Sequence, residues 1–193
     1  MVFDPATFFD DLRHGLLGPT LSQEEVDGCN AILTAMIDTP LAYCAYALAT
    51  AYHETNATMQ PVREAYWLSE AWRKKNLRYW PWYGRGYVQL TWEENYERAD
   101  LKLGLDGALV ADPELALAPA VAADIMRQGM DEGWFAGDNR GRHTLARHLP
   151  EGRPATEGEF RSARRIINGT DRDLLVARHA LQFQKALGRG GWS

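Results

Sequence analysis

Residues 41–52 read LAYCAYALATAY, twelve positions without a charge, and the run then stops at His53, Glu54 and Thr55. Its Ala and Leu content favours a helix, and a helix apolar on every side has to be buried. The rest of the chain must therefore wrap around it, and Glu54 is delivered from that core to the wall of a cleft. Partial burial and the half negative charge of a helix C-terminus both disfavour an ionised carboxyl there. A carboxyl kept protonated is what a general acid needs. The bland alternative is a glutamate that frays into solvent at a helix end.

Capping signals divide the remainder into short helices. The sequence predicts a first helix over 5–17 and a second opened by a Ser22/Glu25 capping box and running to about Met36. The apolar helix starts near Pro40, and Pro61 forces the chain out of helix by about Met59. Residues 60–90 read as irregular, with 83–90 (YGRGYVQL) a short strand or hairpin. A Thr91/Glu94 box caps a helix that Gly104 ends. Asp112 and Pro113 start a short turn, and Pro119 opens a helix through about Glu132. Thr156 and Glu159 cap a helix stopping at Asn168-Gly169, and Thr170 opens the last one, closed by Gly188. The expected fold is mainly α, one helical domain over 1–193 with a small β element.

Composition narrows the function classes. The net charge is −5, with −8 in residues 1–70 and +3 in 71–193, which disfavours a nucleic-acid binder. Cys29 and Cys44 lie in apolar helical patterns and read as buried thiols rather than a disulfide. No CxxC or HExxH motif suggests a metal, and no cofactor is expected. The N-terminus has no basic region followed by an apolar one, so no signal peptide is expected. The apolar helix is shorter than the roughly twenty residues that span a bilayer, so no stable membrane insertion is expected.

Glu64 follows Glu54 by ten residues. One continuous helix would set them about 15 Å apart on different faces, but Pro61 lets the chain fold back. Carboxyls on opposite walls are the equipment of glycoside hydrolysis: one protonates the leaving oxygen, the other activates water or attacks the sugar. Glu70 competes for the second role. Ten of the twenty-one aromatic residues lie between Tyr66 and Tyr96, including five of the seven tryptophans. Such side chains stack on the apolar faces of sugar rings, although any single one of them is as readily a core residue. Arg73, Lys74, Lys75 and Arg78 sit among them. They read either as cations for an acidic glycan or as a solvated face.

HET (53–55), YGRGYVQLTWEENY (83–96) and IING (166–169) resemble the motifs of glycoside hydrolase family 19, which contains chitinases and a smaller branch of bacteriophage endolysins that cut peptidoglycan. The likeness extends over most of 40–190. It implies Glu54 as general acid, Glu64 as general base, and Gln89, Thr91 and Asn95 as groups that bind sugar and hold the attacking water. It also implies Asn168 as a substrate contact, Tyr83 and Arg85 in the turn beside the cleft, and Arg178 as a helix arginine supporting the acids. Each has a structural reading too: Thr91 as a helix cap, Asn168 as a helix end before Gly169, and Arg178 as a partly buried cation sharing a face with Leu174 and Leu181. The reaction implied inverts the anomeric carbon, and the fold implied is a lysozyme-like α+β arrangement around a substrate cleft, with no separate wall-binding module expected.

The short interval between the glutamates, the missing disulfides and INGT in place of INGG favour the endolysin branch. That branch implies a monomer acting on peptidoglycan strands. It is made in the host cytoplasm and reaches the wall through a separate, holin-like membrane-disrupting factor. A chitinase is the alternative within the class, and an inactive glycan-binding module the alternative outside it.

Overall fold

The computed structural model describes residues 3–192, and these form helices with two small sheets. In chain order they are α1 (Pro5–Arg13), α2 (Gln23–Ala35), α3 (Leu41–Glu54), β1 (Val62–Arg63), α4 (Glu70–Asn76), β2 (Arg85–Gly86), α5 (Glu93–Leu103) and α6 (Ala108–Ala111). A 3-10 turn (Pro113–Leu117) leads to α7 (Pro119–Glu132), the hairpin β3 (Gly137–Asp138) and β4 (Gly141–Arg142), α8 (Leu145–His148) and α9 (Glu157–Ala163). A second 3-10 turn (Arg164–Ile166) precedes α10 (Asp173–Arg189).

α3 is the axis. Every residue from Ala42 to Ala51 on it is buried, as its all-round apolar sequence requires. α10 lies along it, and α1 and α9 pack against α10. α2 joins α3 to α7, which in turn carries the 3-10 turn and β2. One contiguous hydrophobic cluster runs through all of them, from Phe8 and Leu12 through Tyr46 and Leu48 to Phe160, Phe183 and Leu187. Cys29 and Cys44 are free and buried within it, and burial pushes the Cys29 thiol up to about 12.

Two of the three capping boxes form. Ser22 accepts from the Glu25 backbone N–H while Glu25 accepts from the Ser22 N–H, and Thr156 and Glu159 repeat the exchange. The third does not. α5 begins after Trp92, at φ +76°, with no side-chain cap, and the Thr91 hydroxyl donates to the Gln89 carbonyl at 2.8 Å. The chain there is turning out of the Arg85–Leu90 bridge, and that turn sets how α5 is entered. Other boundaries also differ. α1 ends at Arg13 rather than 17, and α10 starts at Asp173 rather than Thr170. The region 60–90 contains a short helix, α4, capped by Ser69.

Between α3 and β1 the chain folds back within 55–61, and the sequence dictates how. The Thr55 hydroxyl donates to Ala51 O at 2.8 Å and accepts from Met59 N at 3.0 Å, closing the turn. Asn56, Ala57 and Met59 all take positive φ. Met59 is fully buried, and its carbonyl accepts from the Tyr87 hydroxyl at 3.1 Å. Only a glycine on α2 permits this: a Cβ at Gly28 would lie 1.8 Å from Met59 O. β1 then pairs antiparallel with β2, with Val62 opposite Gly86 and Arg63 opposite Arg85.

Candidate active site

Glu54 ends α3, half-buried, with its Oε1 accepting from Arg164 Nη1 at 2.7 Å. Arg164 is 1% exposed and lies in the 3-10 turn after α9, where its Nε also donates to Asp171 O at 2.9 Å. One guanidinium thus ties the acid to the 168–171 loop. A guanidinium has only donors, so a protonated Glu54 carries its proton on Oε2, the oxygen with no protein partner among the described residues. To the burial and helix terminus expected to act on Glu54 the structure adds an immediate cationic neighbour, the Arg164 guanidinium. Tyr46 and Thr50 precede Glu54 on the same face at four-residue intervals, and their buried hydroxyls have no hydrogen-bond partner among the described residues. Burial pushes the Tyr46 phenol up to about 12.

Glu64 follows β1 and is held by donors of another kind. The Tyr79 hydroxyl donates to Oε1 at 2.7 Å and the Gly84 backbone N–H to Oε2 at 3.0 Å, while the Glu64 N–H donates to Gly84 O at 2.7 Å. Burial and the Glu64 carboxylate raise the Tyr79 phenol to about 12, so it stays a donor throughout the physiological range. Each carboxylate oxygen keeps a free lone pair for water.

Glu70, the competitor, is bound into the framework. Oε1 accepts from the Trp80 indole N–H at 2.7 Å, and Oε2 from the Tyr83 hydroxyl at 2.9 Å and Arg73 at 3.3 Å. Burial pushes its carboxyl up, but those hydrogen bonds outweigh it and hold the group below the usual carboxylate range.

The remaining residues of the motif 83–96 are mostly framework. Tyr83 and Arg85, expected in the turn beside the cleft, are buried there with side chains engaged by the protein. Arg85 donates to Pro81 O, Tyr83 O, the Tyr96 hydroxyl and Glu114, and its guanidinium lies 3.6 Å from the Tyr83 ring centre. Gln89 takes φ +55° and its amide donates to Val62 O at 3.1 Å, pinning the corner between β1 and β2. Asn95 donates to Thr91 O at 2.7 Å. Thr91 spends its proton on Gln89 O and keeps its lone pairs for an incoming water. Asn168 is exposed on the loop that Arg164 anchors, and its side chain has no protein partner among the described residues.

Arg178 is a correction. It is exposed on α10 and forms no ion pair among the described residues, because Leu174 and Leu181 mark the margin of the buried stripe rather than its centre. The cation on the acid is Arg164, which the sequence reading missed. Its only trace was an arginine pair, 164–165, next to an apolar IING.

Tyr66 and Trp67 are 61% and 71% exposed, and Trp72, Trp80 and Trp92 are more than a third exposed. Of the four cations among them, Arg73 is buried and structural, donating to Glu64 O and Ala65 O at 2.9 Å. Lys74 lies over Trp80 at 4.8 Å and Arg78 over Trp92 at 4.9 Å. A depression of about 570 Å³ is lined by Arg63, Tyr66, Leu68, Glu70, Arg73 and Glu114. Among the described residues no three His, Cys, Asp or Glu side chains are grouped to hold a metal, and no helix is long and apolar enough to cross a membrane.

No family model and no curated protein sequence matches the chain. Solved structures do. Chitinase C from Streptomyces griseus HUT6037 is similar at a TM-score of 0.64 and 22% identity, over 95% of this chain and 75% of that one. A bacterial family 19 chitinase gives 0.64 at 24% identity, over 97% of this chain and 96% of that one. The chain therefore has the lysozyme-like, mainly helical fold of those chitinases.

Proposed function

We propose that this protein is a glycoside hydrolase that cuts β-1,4 bonds in an N-acetylhexosamine polymer, with bacterial peptidoglycan as its substrate. The reading is carried by the contrast between the two glutamates. Glu54 has one oxygen fixed by a group that can only donate and the other unpartnered among the described residues, which suits an acid presenting a proton. Glu64 has both oxygens oriented by hydrogen bonds and lone pairs left over, which suits a base taking a proton from water.

Glu54 protonates the glycosidic oxygen as the bond breaks, while Glu64 draws a proton from a water that the Thr91 hydroxyl helps to orient. The water attacks the anomeric carbon from the opposite side, and the configuration inverts. Arg164 keeps the Glu54 carboxyl in place before transfer and pairs with the carboxylate left behind. The exposed aromatics from Tyr66 to Trp92 offer stacking faces to sugars along the cleft. The enzyme works as a monomer, and a separate membrane-disrupting factor gives it access to the wall.

Chitin is the second reading, favoured by the names of the solved structures sharing the fold. Mass spectrometry of products from purified peptidoglycan and from chitin oligomers separates the two. NMR of the fresh anomer tests inversion. The peptidoglycan reading requires muropeptide products; release from chitin alone would replace it with the chitinase reading. No cleavage of either polymer would leave a binding module.

A further inference from the structure

Arg63 ends β1 and Glu64 opens the turn that follows, and their side chains find different partners. Glu64 faces Tyr79 and Gly84, whereas Arg63 faces Glu114 and the 570 Å³ depression. The volume suits a ligand of several residues, and the lining is unlike a sugar platform.

Its charges alternate. Glu114 accepts from Arg63 and from Arg85 Nε at 2.9 Å, and Glu70 accepts from Arg73. Burial pushes the Glu114 carboxyl up, but the two arginines outweigh it and hold it low, so both carboxylates are charged at neutral pH. The Tyr83 hydroxyl lies between them, 2.9 Å from Glu70 and 3.5 Å from Glu114. Three arginines against two glutamates leave the cluster one positive charge. The outer members stay accessible: Arg63 is 45% exposed, and its Nη1 has no hydrogen-bond partner among the described residues. Tyr66 and Leu68 supply an apolar wall.

We propose that this depression is a subsite for a zwitterionic peptide, the stem peptide of a peptidoglycan strand whose sugars lie against Glu64. The inference rests on the peptidoglycan reading above. The stem hangs from a lactyl ether on one sugar of each pair, so a strand engaged at Glu64 carries a stem within reach of the neighbouring residue Arg63 and the depression it lines. Its carboxylates meet the free edge of Arg63, its amine meets the lone pair left on Glu70 Oε1, and its alanine methyls meet Tyr66 and Leu68. A neutral chitin chain has no groups for the alternating charges.

The test compares intact peptidoglycan strands, the same strands freed of stems by an amidase, and chitin hexamers, using the full chain and its Arg63→Gln and Arg63→Lys variants. Melting curves check folding, and Glu114 keeps Arg85 when Arg63 is replaced. Wild type should show a KM lower by about fivefold on stem-bearing strands, the size of an exposed charge contact. Arg63→Gln should erase that difference with kcat on stem-free strands within about twofold, and Arg63→Lys should restore much of it. A soluble stem tetrapeptide should inhibit wild type more than Arg63→Gln. Equal efficiency on the two strand types, or a difference that persists in Arg63→Gln, overturns the subsite and leaves the glycosidase reading intact. Cleavage of chitin alone overturns both.

Discussion

Replacing Gly28 with alanine puts the packing behind the two glutamates to a test in which the sign of the effect decides. Gly28 is within α2, where alanine alone should stabilise by about 1 kcal/mol through helix propensity. The structure opposes this. The new Cβ would lie 1.8 Å from Met59 O, 2.8 Å from Met59 C and 3.0 Å from Met59 Cβ. Roughly 1.6 Å of separation must open before ordinary contact near 3.4 Å is restored. Neither side yields easily. α2 is clamped between α3 and α7, and Met59 is fully buried with both backbone groups bonded, to Thr55 and Tyr87.

Overpacking of this kind costs about 1–3 kcal/mol, and an orphaned Tyr87 hydroxyl or Met59 carbonyl about as much again. After the propensity gain the net loss is about 3 kcal/mol, a fall in Tm of roughly 6–12 °C for a chain of this size. Gly158→Ala in α9 is the control, since its Cβ would meet nothing within 4 Å and should leave Tm unchanged or slightly higher. Thermal melting followed by circular dichroism reads both. Because the displaced turn joins Glu54 to β1, turnover of Gly28→Ala at 20 °C should also fall while the protein is still folded. An unchanged or raised Tm would refute the close approach. Normal turnover would refute the coupling of that turn to the acids.

Glu54→Gln should remove nearly all turnover, by about 10²–10⁴-fold or more, with melting and glycan binding close to wild type; activity within a few-fold in a folded variant would exclude it as the acid. On stem-free glycan Glu64→Gln should lower kcat strongly, with partial rescue by azide, whereas Glu70→Gln should change the rate little; the reverse ranking would transfer the base to Glu70. Stability should fall with acid across a defined window. Burial, with the His143, Arg147 and Arg165 charges, lowers His148 from 6.5 to about 4. The unfolded chain therefore binds more protons between those values, and the contribution present above pH 6.5 is lost on the way down. His148→Gln should melt with a shallower acid dependence than wild type, and an identical slope would remove His148 as the cause.

Local signals were legible in the sequence where local forces decide. The Ser22/Glu25 and Thr156/Glu159 boxes form because nothing outside those few residues competes for the same donors. Thr91/Glu94 has the same spacing and fails, because the Arg85–Leu90 bridge and the positive φ at Trp92 fix the approach to α5 from outside it. The hairpin of β3 and β4 and the helix α4 left no periodicity long enough to read. Arg178 illustrates a limit of helical wheels. Sharing a stripe with two leucines does not bury a residue when the stripe's edge, not its centre, meets the core. Arg164, a charge almost wholly buried, announces itself by no pattern, because its justification is Glu54, 110 positions away.

The division of labour around the acids follows from the kind of element each one ends. A helix terminus offers Glu54 no unpaired backbone N–H, since those lie at the other end of the helix, so its oxygen is fixed by a side chain brought from elsewhere. Glu64 lies next to a strand whose partner segment has a free N–H at Gly84, and the backbone itself fixes one oxygen. This explains why most of the motif 83–96 is buried framework. Arg85, Gln89 and Tyr96 hold the carbonyls and the corner that keep the Gly84 N–H aimed at Glu64, and a Cβ at Gly84 would lie 2.7 Å from the Gln89 side chain. The most recognisable stretch of the sequence holds Glu64 through the backbone, so on the proposed mechanism substitutions at Gln89 act on catalysis by moving Gly84.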